Sequence, residues 1–422
     1  MTMAGAAGPV DAVREAHRAA ARWPYAELDP AALRATGWTP TPFREFVLKV
    51  HQRCNLACDY CYVYEQADQS WRDRPRAMSE EIRRAAAAAI GRHAEEHGLT
   101  RVRVILHGGE PLLYGPRRLG ELAAELRAAV PDGCVVEIGM QTNGVRLTEA
   151  TVAVLREHDV KCGVSVDGTQ RDHDRHRKFR NGEGSFTAVR NGLELLLRPE
   201  NRTLYAGLLC TVSPDIDPVE TFEQLAKFEP PVIDFLLPHA NHESRPWLPP
   251  GASPTAYGEW LVKAFDHWYF GKPRQDAPRV RLFEDVMRLV LKGRSGSEQI
   301  GLSPSALLVI ETDGAIEQVD ALKSAYQGAA FTGLDVTRDA FDAAFDDPGV
   351  AARQIGLRAL SDTCLSCRFH PVCGGGHYAH RYAPGAGFKN PSVYCEDLRL
   401  LIEHIHRRLE ADIQRLLAMG EP

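Results

Sequence analysis

The chain reads as an α/β protein built on a largely parallel sheet that curves into a partial, six-unit barrel, followed by a smaller cysteine-bearing unit. Three observations predict this. From Phe43 to Pro238, β-branched or apolar runs alternate with helix-length segments; several polar motifs follow directly on those runs; and after Pro238 the rhythm gives way to a proline-rich stretch. Alternating strand and helix implies parallel pairing, because a helix must carry the chain back across the sheet before the next strand starts. Six units instead of the eight of a closed barrel imply an open rim with a lateral mouth, wide enough for a peptide or protein substrate.

Residues 1–42 are rich in Ala and Arg and carry Pro24, Pro30, Pro40 and Pro42, which predicts a short helix and an extended lead-in. The barrel spans 43–240, with strands at FVLKV, RVRVILH, CVVEIGMQ, VKCGVSV, TLYAGLLCTV and VIDFLLP. Helices between them have start signals, such as Ser79 before EEIRRAAAAAIGRHAEEHG and Pro116 before RRLGELAAELRAAV. Residues 241–302 open with a proline-rich linker and predict a helical bridge, with helices near 254–270 and 279–293. Within 303–395, ALLVIETDGAIEQVD reads as a hairpin turning at Asp313 and Gly314. The tail, 396–422, has apolar residues at helical spacing and predicts a closing amphipathic helix. There is no internal repeat.

Hydrophobic residues make up 44% and charged residues 25% of the 422, a composition typical of globular enzymes. A net charge of −6 argues against nucleic acid, whose binding needs a basic face to displace counterions. No run approaches a membrane span, and the N-terminus lacks the basic-then-apolar pattern of a signal peptide, so no membrane partner and a cytoplasmic location are expected. In the cytoplasm thiols stay reduced, so the ten cysteines, seven of them in two sets, read as metal ligands before disulfides.

The first set is Cys54, Cys58 and Cys61, in CNLACDYC directly after the first strand. A [4Fe-4S] cluster is normally held by four thiolates, so three would leave one iron open to another ligand. A zinc clip is the alternative, although zinc favours four paired ligands. The second, third and fourth strands run into HGGEP, QTNG and SVDG, placing Gly108, Gly109, Glu110, Asn143, Ser165 and Asp167 on the same C-terminal rim. Asn-Gly and Asp-Gly are also common turn dipeptides. Arg177, in RDHDRHRKFRNGEGSF, is either an anion clamp or part of a solvated basic patch. The second set is Cys364, Cys367 and Cys373 in CLSCRFHPVC, with Cys395 after 21 more residues. Four thiolates can close a cluster or a zinc ribbon.

These motifs resemble the radical S-adenosylmethionine (SAM) enzymes. The resemblance implies a [4Fe-4S] cluster on Cys54, Cys58 and Cys61 whose open iron is chelated by SAM. It further implies Tyr60 near the adenine, the Gly108-Gly109-Glu110 triplet at the methionine ammonium, Asn143, Ser165 and Asp167 near the ribose, and Arg177 at the SAM carboxylate. Simple packing under the loop would also account for Tyr60. The second set resembles the SPASM extension of peptide and protein maturases and matches its outer cluster. This implies one auxiliary [4Fe-4S] cluster, because the positions of two inner-cluster cysteines fall at about Val319 and His377. Gly374, Gly375 and Gly376 would then approach sulfide closely, unless they form a plain flexible loop. Asp320 resembles the general-base position of anaerobic sulfatase maturases, with a solvated hairpin-end carboxylate as the alternative.

HPVCGGGHYAHRY and GFKNPSVYCEDL resemble the FxsB-type maturases, several of which form cyclophanes. That likeness implies a ribosomally made precursor peptide, an external electron donor such as flavodoxin or ferredoxin, and a crosslink from a residue Cβ to an aromatic ring, with Asp320 taking the proton. Formylglycine formation and a non-catalytic peptide scaffold are the alternatives. HAEEH at 93–97 matches a zinc-protease pattern but has no evident third ligand. Cys134, Cys162 and Cys210 read as core residues, and His239 and His242 as solvated loop histidines.

Overall fold

A computed structural model describes residues 28–271 and 277–419. The barrel strands are β1 (Glu45–His51), β2 (Arg101–Gly108), β3 (Val135–Thr142), β4 (Lys161–Ser165), β5 (Tyr205–Thr211) and β6 (Val232–Leu236), at the six expected runs. They pair in parallel in that order, and a short β7 (Arg279–Val280) adds to β6. The expected helix from 279 therefore begins two residues later.

The hairpin does not stand apart. Its strands β8 (Leu307–Ile310) and β9 (Ala315–Glu317), with β10 (Phe331–Asp335), continue the barrel sheet, because β8 pairs in parallel with β1. One ten-stranded sheet results, in the order β10-β9-β8-β1-β2-β3-β4-β5-β6-β7, open at both ends. Covering β1 removes an exposed strand edge, and it carries Asp320 from the hairpin end to the barrel.

The helices are α1 (Pro30–Ala35), α2 (Glu80–Glu96), α3 (Pro116–Ala129), α4 (Glu149–Glu157), α5 (Gln170–His176), α6 (Phe186–Leu196), α7 (Pro218–Ala226), α8 (Ala256–Phe270) and α9 (Arg281–Val290). The short α10 (Pro348–Ala352), α11 (Asp362–Leu365) and α12 (His370–Cys373) precede the long closing α13 (Cys395–Met419). Of the lead-in, α1 supplies a short helix, while residues 1–27 lie outside the described residues. The expected start signals act as caps: Ser79 Oγ accepts the Ile82 N–H, and Pro116 opens α3.

Strand alternation separates the two faces of the sheet. On β2, Val102, Val104 and Leu106 are buried under the helices, while Ile105 and His107 line a lumen of about 910 Å³. That lumen runs up to the strand ends, where Tyr62, His239, Asp320 and His377 border it.

The closing helix is locked by close contact. A Cβ at Gly258 of α8 would lie 2.7 Å from the Asp397 carbonyl oxygen, and the Gly258 N–H donates to Asp397 Oδ1 at 2.7 Å. Gly258→Val should therefore cost about 1–3 kcal/mol by overpacking, read from the denaturation midpoint; a change within about 0.5 kcal/mol would contradict this contact. Burial, reinforced by Lys49 beside His107 and Arg177 beside His173, pushes both imidazoles down to about 4. The unfolded chain then binds more protons than the folded one between about pH 4 and 6.5. Stability should fall as pH drops through that window, by up to about 1.4 kcal/mol per pH unit for each histidine. In His107→Gln and His173→Asn variants, denaturation midpoints followed from pH 7 to 5 should fall less steeply, and slopes equal to the parent's would contradict the assignment.

Candidate active site

The first cysteine loop leaves β1 at His51 and folds through tight turns, with the Cys61 N–H on the Cys58 carbonyl at 3.2 Å and the Glu65 N–H on the Cys61 carbonyl at 2.8 Å. Cys54 Sγ accepts from the Leu56 N–H at 3.4 Å and from Asn143 Nδ2 at 3.6 Å. Burial pushes the Cys54 thiol up to about 12 and Cys58 to about 11, and raises Cys61. Cys54 and Cys58 are raised further by their fellow cysteines, so the sulfurs share one neighbourhood. Crowded, half-buried thiols of this kind become thiolates only against a cation. Three of them in one loop fit a metal cluster that keeps a position open.

Glu110 is 1% exposed. Its Oε1 accepts from the Leu112 N–H at 3.0 Å and the Thr142 hydroxyl at 2.6 Å, and its Oε2 from the Asn143 N–H at 2.8 Å. Burial pushes the carboxyl up, and these donors oppose it. The glycines before it approach the chain itself. A Cβ at Gly108 would meet the His51 carbonyl oxygen at 2.2 Å, and one at Gly109 would meet the Tyr64 hydroxyl at 1.8 Å. The Gly109 and Glu110 N–H groups bond the carbonyls of His51 and Arg53 at 2.8 and 3.1 Å, stitching the end of β2 to the cysteine loop. Close approach was expected, and it is made here to backbone and a tyrosine.

Asp167 gathers the remaining rim residues. It accepts from the Tyr60 hydroxyl, from Arg177 Nε at 2.8 Å and from the Thr211 N–H at 3.0 Å. Burial would raise its carboxyl, but Arg177 and His173 prevail and hold it below the usual range. Arg177 also lies 5.5 Å over the Tyr60 ring and draws the Cys58 thiol downward, so it belongs to this cluster and not to a solvated patch. Asn143 Nδ2 reaches Asn55 at 2.9 Å, and Ser165 Oγ accepts from Gln141 at 2.9 Å. His173, which sequence reasoning missed, takes the Asp167 N–H at 3.3 Å and shares a hydrogen with Ser185 at 3.0 Å. Its only signal was a helix start right after SVDG.

Asp320 is 7% exposed, so it is no solvated hairpin end. It pairs with Lys49 Nζ at 2.5 Å and faces Lys323 at 3.5 Å. Lys323 also binds Glu311 and Glu317, and Arg74 binds Glu317 at 2.5 Å. Burial would raise the Asp320 carboxyl, but Lys49 and Lys323 overrule it and hold it far below the carboxylate range. Lys49 and Lys323 escaped sequence reasoning, because a lysine's burial is legible only once its acidic partner is known.

In the second set, Ser361 caps Cys364, the Cys367 N–H bonds the Cys364 carbonyl at 3.1 Å, and Cys395 opens α13. Burial pushes Cys373 up to about 12 and Cys395 to about 11; Cys373 also feels Cys364 and Cys395, and Cys395 feels Cys364 and Cys367. Four mutually sensed thiols fit a closed site. Gly374, Gly375 and Gly376 all have left-handed φ values, of 61°, 81° and 68°. They wrap Arg381, which donates to their three carbonyls at 2.5–3.1 Å, so their conformation serves the guanidinium and is not a plain loop. The HAEEH pair does meet a carboxylate: Asp342 stands 3.0 Å from His93 Nδ1 and 2.9 Å from His97 Nε2, among Phe43, Phe341 and Phe345. That trio fastens α2 to the C-terminal unit.

Residues 48–228 match the model of the Radical SAM superfamily. The serine-type anaerobic sulfatase-maturating enzyme of Klebsiella aerogenes is 27% identical over 365 residues, covering 84% of each chain. The cysteine-type enzyme of Clostridium novyi is 23% identical over 364 residues, 83% of this chain and 91% of its own. Among solved structures, native anSMEcpe with bound AdoMet superposes with a TM-score of 0.75 at 20% identity, over 87% of this chain and 98% of that one. Streptococcus suis SuiB bound to its precursor peptide SuiA gives 0.55 at 14%, over 87% and 78%. The FxsB-type likeness has no counterpart among these relatives. The matched segment holds the first cysteine set and the GGE, TNG and VDG rim motifs, so over residues 48–228 the barrel of this chain is similar to the radical SAM superfamily.

Proposed function

We propose that the chain is a maturase of a ribosomally made peptide, joining a residue Cβ to an aromatic ring of the same peptide in a cyclophane. The observation that carries this reading is Asp320, which borders the lumen as a carboxylate held far below its usual range by Lys49 and Lys323. So weak a base suits an acidic proton, such as the one an oxidised ring adduct sheds. It suits poorly the weakly acidic hydroxyl or thiol of a formylglycine precursor.

The superfamily's cofactors fit the residues present. Cys54, Cys58 and Cys61 would hold the open [4Fe-4S] cluster with SAM, and Cys364, Cys367, Cys373 and Cys395 a closed one. When bound, these groups supply a 5′-deoxyadenosyl radical that abstracts hydrogen, together with one-electron capacity. Glu110 keeps acceptor capacity on Oε2 for the methionine ammonium. Tyr60, fixed by Asp167 and covered by Arg177, offers its ring to the adenine, and Asn143 and Ser165 face the ribose. Arg177 commits Nε to Asp167, leaving its terminal nitrogens for the SAM carboxylate. In the peptide a Cβ–H bond breaks and a Cβ–ring bond forms; the ring then loses one electron and one proton, so the product lacks two hydrogens. Asp320 receives the proton, and a flavodoxin or ferredoxin is the matching electron donor. None of the described helices is long and apolar enough to cross a membrane.

The anaerobic sulfatase-maturating relatives favour a second reading, formylglycine formation on a protein substrate. Coexpression with short peptides encoded beside the gene separates the two by tandem mass spectrometry. The expected product has lost two hydrogens and contains an unfragmented ring, whereas a hydrazide-reactive aldehyde would overturn the crosslink. In anaerobic assays, Cys54→Ala should lower 5′-deoxyadenosine formation at least 100-fold, and retained SAM cleavage would remove the first loop from the chemistry. Asp320→Asn should leave SAM cleavage within about threefold while crosslinked product falls about 100-fold or more; equal losses of both would deny Asp320 its proton-accepting role.

A further inference from the structure

His239, His377 and His380 converge at the top of the lumen, with one ring nitrogen of each within 4.8 Å of the others. They come from distant parts of the chain, His239 just beyond β6 and the other two between Cys373 and Cys395 of the second cysteine set. All three border the 910 Å³ lumen, as do Tyr62 and Asp320. Instead of solvated loop histidines, the structure holds partly and fully buried rings. His380 is 4% exposed, and neither of its ring nitrogens has a hydrogen-bond partner; His239 Nδ1 is likewise buried and without one. Unsatisfied buried nitrogens are costly, and a bound ion or water is one way native proteins satisfy them. Tyr62 packs edge-on against His239 at 4.7 Å and Tyr394 against His380 at 5.0 Å, which fixes both rings. Burial, aided by the neighbouring rings and cations, pushes His239 down to about 3 and His377 to about 4, so they carry the neutral imidazole that metals require.

We propose that His239, His377 and His380 form a mononuclear site for a divalent cation of borderline softness, zinc or ferrous iron, separate from both cysteine sets. Three neutral nitrogen ligands leave one coordination position toward the lumen, the arrangement of open zinc sites. A water or a carbonyl or carboxylate oxygen of a ligand in the lumen takes that position. His377 Nδ1 now receives the Ala379 N–H at 3.3 Å; ligation through Nε2 moves its proton to Nδ1 and gives up this long contact. The site occupies the region where the family resemblance placed two cysteines, at Val319 and His377, both of which border the same lumen. One of those missing sulfurs is thus replaced by nitrogen.

The test needs no peptide and no turnover. Anaerobically reconstituted full-length protein is given zinc, desalted, and analysed for metals and by zinc-edge X-ray absorption. The expected result is one zinc per chain beyond the iron, with nitrogen ligands at about 2.0–2.1 Å, imidazole scattering and no sulfur near 2.3 Å. His377→Asn and His380→Gln should lose that zinc at unchanged iron content, while the exposed His406→Ala keeps it. No added zinc, sulfur coordination, or undiminished zinc in both variants overturns the proposal. If the variants fail to fold, the ligand set seen in the parent protein still decides. Loss of SAM cleavage alone would bear on the proposed reaction and not on this site.

Discussion

The buried Glu110 carboxylate is the constraint on which the site depends. It takes hydrogen bonds from Thr142 and Asn143 at the end of β3, while its own N–H bonds Arg53 in the cysteine loop. One carboxylate thus sets the relative height of two strand ends and the loop that follows β1. A buried carboxylate is tolerated only with such donors around it. Gly108 and Gly109 allow the approach, because any side chain there would strike His51 or Tyr64.

Two further buried carboxylates extend the same logic around the rim. Asp167 ties the β4 end to Tyr60 in the cysteine loop, to Arg177, and to the β5 end through Thr211. Asp320 ties the hairpin to β1 through Lys49. Each acid is balanced by a cation, so none is stranded in the low-dielectric interior. The balance has a chemical consequence. Glu110, pushed up by burial, and Asp167 and Asp320, held down by cations, are carboxylates of very different basicity.

The fold was legible wherever the signal was local. Strand runs, the Ser79 and Pro116 helix starts and the Asp313-Gly314 turn need only neighbouring residues to be read, and each lies where expected. The cysteine spacings and GGE were legible for the same reason. What escaped was long-range. Pairing of β8 with β1 joins residues about 260 apart and has no local signature. The roles of Lys49, His173 and Lys323 depend on partners brought in by the fold. The meeting of His239 with His377 and His380 depends on how the chain after β6 returns against the second cysteine region, so spacing alone assigned His239 to solvent. The glycine motifs read as places where backbone approaches a ligand or sulfide, and the structure shows Gly109 against Tyr64 and Gly374 against Arg381.

Hydrogen transfer tests the central claim most directly. A coencoded peptide deuterated at its Cβ positions, incubated anaerobically with reduced protein and SAM, should give 5′-deoxyadenosine carrying one deuterium per crosslink formed. 5′-Deoxyadenosine formed at the same rate without deuterium, beside an unmodified peptide, would contradict the account.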